Sequence, residues 1–120
     1  MANFAESFQR IAPKSKGMTV SEDVRKFLCE ELPQSEAHMI VSRLDDLETI
    51  IRESFKNIVS ISLEMFENPE LPEERNIRIR IRIKETVENG FLQYDHYTRS
   101  FIRTFPFDFG RWFVTSVNYV

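Results

Sequence analysis

Residues 75–84 read RNIRIRIRIK, with isoleucine at 77, 79, 81 and 83 and a cation at 78, 80, 82 and 84. A period of two separates the two sets only if the backbone is extended, because successive side chains of a strand point to opposite faces. On a helix the same residues would spread around the whole circumference. The stretch therefore predicts a half-buried strand with Ile inside and Arg78, Arg80, Arg82 and Lys84 outside. Upstream, Val59, Ile61, Leu63 and Met65 alternate with Ser60, Ser62, Glu64 and Phe66. The acidic, proline-containing link ENPELPEER joins the two runs, and together they predict an antiparallel hairpin.

Around the hairpin the period changes to that of helices. In TVSEDVRKFLCEEL, Thr19 is a candidate N-cap and Glu22 completes a capping box. Val20, Val24, Phe27, Leu28 and Leu32 form its apolar stripe, and Pro33 closes it. Ser35 is a candidate cap for a second helix running to about residue 57. There Ile40, Leu44, Leu47 and Ile51 repeat in steps of three and four, the spacing of a helix–helix seam. That stripe is expected either to pack on the chain's own sheet or to form an oligomer interface. Residues 85–105 return to helical spacing, with Val87, Phe91, Tyr94, Thr98, Phe101 and Phe105 on one face. Gly90 weakens its first turn and Pro106 limits its end. DFG at 108–110 predicts a turn, and RWFVTSVNYV a last strand. Before all of these, residues 1–17 form an N-terminal arm with Phe4, Phe8 and Ile11 at helical spacing, ended by Pro13 and Gly17.

This order predicts an α+β fold over residues 18–120: N-terminal helices, then a β-β-α-β unit, giving a small mixed sheet with helices packed on one face. A crossover through the third helix makes the last strand parallel to the arginine strand. Placing that last strand beside the first strand of the hairpin leaves the arginine strand at an edge.

The composition suits one domain: 120 residues, 42% hydrophobic, eleven of them Phe. Sixteen basic residues against nineteen acidic give a net charge of -3, which argues against general affinity for nucleic acid. Cys29 is the only cysteine, so neither an intrachain disulfide nor a Cys-based zinc site can form. No basic start followed by an apolar run marks a signal peptide, and no stretch reaches the ~20 apolar residues of a membrane span. The expectation is a cytoplasmic protein.

Three explanations compete for the aligned cations. At a sheet edge, cationic side chains discourage docking of another strand. On a recognition surface, the guanidinium fork grips carboxylates of an acidic protein. On a nucleic-acid surface the cations grip phosphates, with Phe66 and Trp112 as stacking platforms. Motifs for chemistry are missing. The three glycines, at 17, 90 and 110, make no phosphate loop, and DFG stands without the other kinase parts. His96 in YDHY has no second ligand at helical spacing, since Arg99 and Ser100 occupy those positions. His96 and His38 are expected at the surface. The glutamates after Cys29 raise its thiol pKa. Asp45, Asp46 and Glu48 read as a solvated face. No catalytic residue, metal or cofactor is expected.

The stretch MFENPELPEERNIRIRIRIKETVENGFLQYDHYTRSF, residues 65–101, resembles a layout found in small uncharacterised bacterial proteins. Its parts are a strand into an acidic Pro-Glu turn (Met65 to Glu74), an alternating strand (Ile77 to Lys84) and a helix that opens with acidic residues and carries a Tyr-Asp pair (Glu85 to Asp95). The resemblance implies a bacterial accessory protein and no particular activity. The resulting expectation is a non-catalytic protein-binding or regulatory protein, antitoxin-like or homodimeric, with Arg78, Arg80, Arg82, Lys84, Phe66 and Trp112 at its partner surface. The alternative is a small nucleic-acid-binding regulator that uses strand 77–84.

Overall fold

The computed structural model describes residues 17–120, so the expected arm with Phe4, Phe8 and Ile11 lies, but for Gly17, outside the described residues. The chain runs β1 (Met18–Val20), α1 (Glu22–Lys26) continuing into a π-helical turn (Phe27–Glu31), α2 (Gln34–Ser42), α3 (Leu44–Ser54), β2 (Ile58–Asn68), β3 (Leu71–Ile83), α4 (Val87–Thr104), α5 (Phe107–Gly110) and β4 (Phe113–Tyr119). The four strands form one sheet in the order β1-β2-β3-β4. β2 and β3 are the antiparallel hairpin, while β1 pairs parallel to β2 and β4 parallel to β3.

The arginine strand is thus interior, which overturns its expected edge position. The hairpin offers two free sides. Met18–Val20, read from sequence as a helix start, takes the β2 side through Met18↔Ile61 and Val20↔Leu63. β4 then pairs along Ile77–Ile83 on the β3 side. Gly17 precedes β1 with φ +92°, a conformation glycine adopts freely; a Cβ there would stand 2.6 Å from Arg52 Nη2. The N-cap of α1 is Ser21 rather than Thr19: its hydroxyl accepts from the Val24 N–H at 3.3 Å, while Thr19 points outward from β1.

All the large helices cover one face of the sheet. Ile61, Leu63, Ile77, Ile79, Ile81 and Ile83 project into the core, where they meet Val24, Phe27, Leu28, Ala37, Ile40, Leu44, Leu47 and Ile51. Full burial of one such aliphatic side chain contributes roughly 1.5–3 kcal/mol. The stripe Ile40, Leu44, Leu47, Ile51 is between 0% and 2% exposed within the single chain. The chain's own sheet occupies the surface expected to serve as an oligomer interface. The expected long helix is also broken, at Arg43 (φ -104°, ψ 2°). No Pro or Gly stands there. The Arg43 guanidinium bonds Asp46, donates to the Thr104 carbonyl at the end of α4 and lies 5.0 Å over the Phe105 ring, so the break serves a contact 61 residues away. Glu48, expected on a solvated face, is buried and bonded to Arg52 at 2.8 Å.

Two further differences have local causes. One extra residue on β2 shifts the register between Ile58↔Ile83 and Ser60↔Arg82. This bulge turns Val59 outward, 50% exposed, and Ile58 packs against the core instead. In α4, capped by Thr86 rather than opened by Glu85, Gly90 and Tyr97 are buried. Phe101 and Phe105 follow on that side, whereas Val87 and Phe91 are two-thirds exposed. Tyr97 turns inward because its hydroxyl meets Thr115 Oγ1 of β4 at 2.9 Å and its ring meets Phe55. Burial raises its phenol pKa well above the ordinary value. DFG is the short helix α5, whose Phe109 stacks on Phe105 (4.3 Å) and packs on Phe113 (4.7 Å), locking the aromatic C-terminal third to the core.

Candidate binding surface on the open sheet face

With every large helix on the isoleucine side, no helix among the described residues covers the other face of the sheet. The strand registers set its residues in rows. Thr19, Ser62, Arg80 and Ser116 form one row across all four strands. Ser60, Arg82 and Asn118 form the next, and Glu64, Arg78 and Val114 lie on the far side of the first, followed by Phe66 and Asn76. β3 is interior, so its cations occupy the middle of a flat surface flanked by hydroxyls and an amide. Alternate residues of a strand repeat every ~7 Å, which sets the spacing of the three guanidiniums.

Charge on this face is unbalanced. Glu64 forms ion pairs with both Arg80 Nη2 (3.1 Å) and Arg78 Nη1 (3.5 Å). One carboxylate thus answers two guanidiniums. Among the described residues Arg82 and Lys84 make no ion pair, and both are exposed. Arg78 lies 4.6 Å over the Phe66 ring, which holds it flat against the sheet. Arg80 Nε is buried without a hydrogen-bond partner, so its planar fork is not saturated by Glu64. Acidic residues are concentrated on the opposite, helical layer, including Glu22, Asp23, Glu36, Asp45, Asp46 and Glu53. The overall charge of -3 therefore hides a two-sided molecule.

Of the six residues expected at a partner surface, Arg78, Arg80, Arg82 and Phe66 share this face, and Lys84 follows the last residue of β3. Trp112 does not share it. It precedes β4, meets the Phe27 ring edge-on at 5.9 Å and is covered by Arg111 at 4.6 Å. It lines a polar hollow of about 350 Å³ with Glu74, Arg75, Asn76 and Arg111, which meets the open face only at its Asn76 end. The two arginines there are already engaged, Arg75 with Glu31 and Arg111 with Glu36. Sequence reasoning missed the serines, Thr19 and Asn118 as part of the surface. Their contribution follows from strand order, which no residue pattern displays.

Other polar groups have local roles. His96 Nδ1 is 3.1 Å from the buried Ser54 hydroxyl. Glu85 accepts from Asn57, Asn89 and Gln93, and these bonds, Asn89 first, hold its carboxyl below the ordinary range. The Cys29 thiol is pushed up by partial burial and then by Glu30, against a smaller opposing effect of Arg25. Among the described residues no group of three or more His, Cys, Asp or Glu could hold a metal ion. No helix there is long and apolar enough to cross a membrane. The chain matches no protein-family model, no curated protein and no solved structure.

Proposed function

We propose that the protein is a non-catalytic binding module, a regulatory or antitoxin-like accessory, whose open sheet face takes the acidic surface of another protein. The observation that carries this reading is the excess of guanidinium over carboxylate at the centre of that face: Arg78 and Arg80 share Glu64, and Arg82 has no ion pair among the described residues. Arginine suits carboxylate recognition because two parallel N–H bonds fix distance and angle together. Flanking Ser60, Ser62, Ser116 and Asn118 add hydrogen-bonding groups at a rim that stays wet. A second reading, single-stranded nucleic acid, draws on Phe66, the one aromatic ring on this face among the described residues. The acidic helical layer and the net charge of -3 weigh against it.

The two readings separate by titrating the full chain with fluorescent polyglutamate and with a single-stranded oligonucleotide in about 0.15 M salt. The expected result is binding to polyglutamate and none to the oligonucleotide. Replacing Arg78, Arg80 and Arg82 together by Lys keeps the charge but removes the fork, and should weaken polyglutamate binding by more than about 1 kcal/mol. Micromolar oligonucleotide binding with a steep salt dependence, little affected by the Lys variant, would replace the first reading by the second. Failure to bind either polymer removes both.

A further inference from the structure

α4 carries an apolar stripe that the described residues leave uncovered. Val87 is 66% exposed, Phe91 67%, Ile102 71% and, just beyond the helix, Phe107 80%, with Tyr94 at 37%. Together they expose on the order of 600 Å² of mostly apolar surface, at the upper end of what a monomer normally shows. Steps of four and three from Val87 lead through Phe91, Tyr94 and Thr98 to Phe101, the spacing of a seam for another helix. At the C-terminal end of the stripe a hollow of about 380 Å³ opens between Phe101, Ile102, Phe105, Pro106, Phe107 and Gly110. A benzene-sized guest needs only roughly 150 Å³.

We infer that this stripe is the interface of a homodimer in which α4 packs antiparallel on α4 of a second copy. Charge selects that occupant and that direction. The N-terminal half of the helix region carries Glu85, Glu88 and Asp95, and its C-terminal half Arg99 and Arg103. Antiparallel pairing sets Glu88 of each copy beside Arg103 of the other, and it opposes the two helix dipoles. A parallel pair would align acid with acid and base with base. In the antiparallel register, Tyr94 meets Thr98 of the second copy at the two-fold axis, and Phe91 meets the Phe101–Ile102 end. The Phe91 ring then enters the second copy's hollow, and the same contact repeats by symmetry. Asp95 falls near the axis, where its own Arg99, bonded at 3.2 Å, offsets the approach of its symmetry mate. Two copies would cover about 1,200 Å², the lower bound of stable interfaces, which corresponds to a dimer of roughly micromolar affinity. α4 lies in the helical layer, so the dimer leaves both open sheet faces free.

Sedimentation equilibrium of the full chain over roughly 1–100 μM should show a monomer–dimer equilibrium, a range chosen to bracket micromolar affinity. Phe91→Glu and Ile102→Glu should each give a monomer with an unchanged circular dichroism spectrum and urea midpoint, since both side chains are two-thirds exposed or more. Glu88→Arg and Arg103→Glu should each weaken the dimer about tenfold, because each substitution disturbs two symmetry-related pairs. Mixing those two single variants should restore association as a heterodimer, and the loss with each variant alone marks the antiparallel arrangement, because a parallel pair would only exchange one like-charge contact for another. A wild-type monomer at the top of the range overturns the inference. So does a dimer that survives Phe91→Glu, or a wild-type monomer that begins to dimerise when Phe4 and Phe8 are replaced by Glu, which would assign the stripe to the chain's own N-terminal segment.

Discussion

Truncating Ile81 tests the placement of the arginine strand most directly. Ile81 is fully buried, paired with Ile61 on β2 and Val117 on β4, and so surrounded on both sides within the sheet and above by helices. Ile81→Ala removes three carbons, a transfer loss of about 2.4 kcal/mol at ~0.8 kcal/mol each. An interior strand held by neighbours on both sides cannot collapse fully, and a residual void of roughly 40–75 Å³ at ~24 cal/mol per Å³ adds about 1–2 kcal/mol. The expected cost is therefore about 3.5–4.5 kcal/mol. In urea, with a slope of roughly 1.5–2 kcal/mol/M, the midpoint should fall by about 2 M. The adjacent Arg82→Ala, exposed on the open face, should change stability by less than about 0.5 kcal/mol. Should Ile81→Ala prevent folding, Ile81→Val provides a milder step of roughly 0.5–1.5 kcal/mol. A slip of one residue would exchange the two faces. A cost for Arg82→Ala equal to that for Ile81→Ala, or an Ile81→Ala cost below about 1 kcal/mol, refutes the assignment.

Two other outcomes follow from local geometry. Asn57 sits at φ 57° between α3 and β2, and its carbonyl accepts from the Lys84 N–H. Asn57→Gly should leave the thermal midpoint nearly unchanged, whereas Asn57→Val should cost about 1–2 kcal/mol; equal tolerance of both would contradict a left-handed turn. Glu85 has its folded-state pKa depressed by its amide donors, so its contribution to stability is present above the ordinary value of 4.5 and is lost as pH falls through the lower folded value. Urea midpoints taken from about pH 7 to about pH 3 should converge for wild type and Glu85→Gln at the acid end, and a constant difference across the range would dismiss the linkage.

Much of the architecture was legible in local pattern. The alternation of Ile with Arg, and of Ile61 and Leu63 with Ser62 and Glu64, determined two half-buried strands and which side of each faces the core, because a strand has only two faces. Helical spacing marked Ile40 to Ile51 as an apolar stripe that had to be covered and put Phe101 and Phe105 on one face of a helix. The acidic link had to hold a turn, but the strands extend into it and only residues 69–70 lie between β2 and β3, because backbone pairing continues past the point where the apolar alternation stops. These conclusions depend on neighbours within a few residues, and there the backbone period alone decides.

Strand order, helix rotation and the identity of the edges were decided only by tertiary packing. Met18–Val20 is too short to declare itself a strand; it becomes one because β2 offers unpaired backbone groups at Ile61 to Leu63. The side of the hairpin that receives β4 determines whether Arg80 guards an edge or stands amid Ser62 and Ser116, and both outcomes share one sequence pattern. The same holds for α4. Its apolar residues extend over more of the circumference than one sheet can cover, so the bonds and contacts of Tyr97 with Thr115 and Phe55 select the buried side and leave Val87, Phe91 and Ile102 outside. A sequence states how much apolar surface a segment owns; which part of it remains uncovered depends on partners tens of residues away.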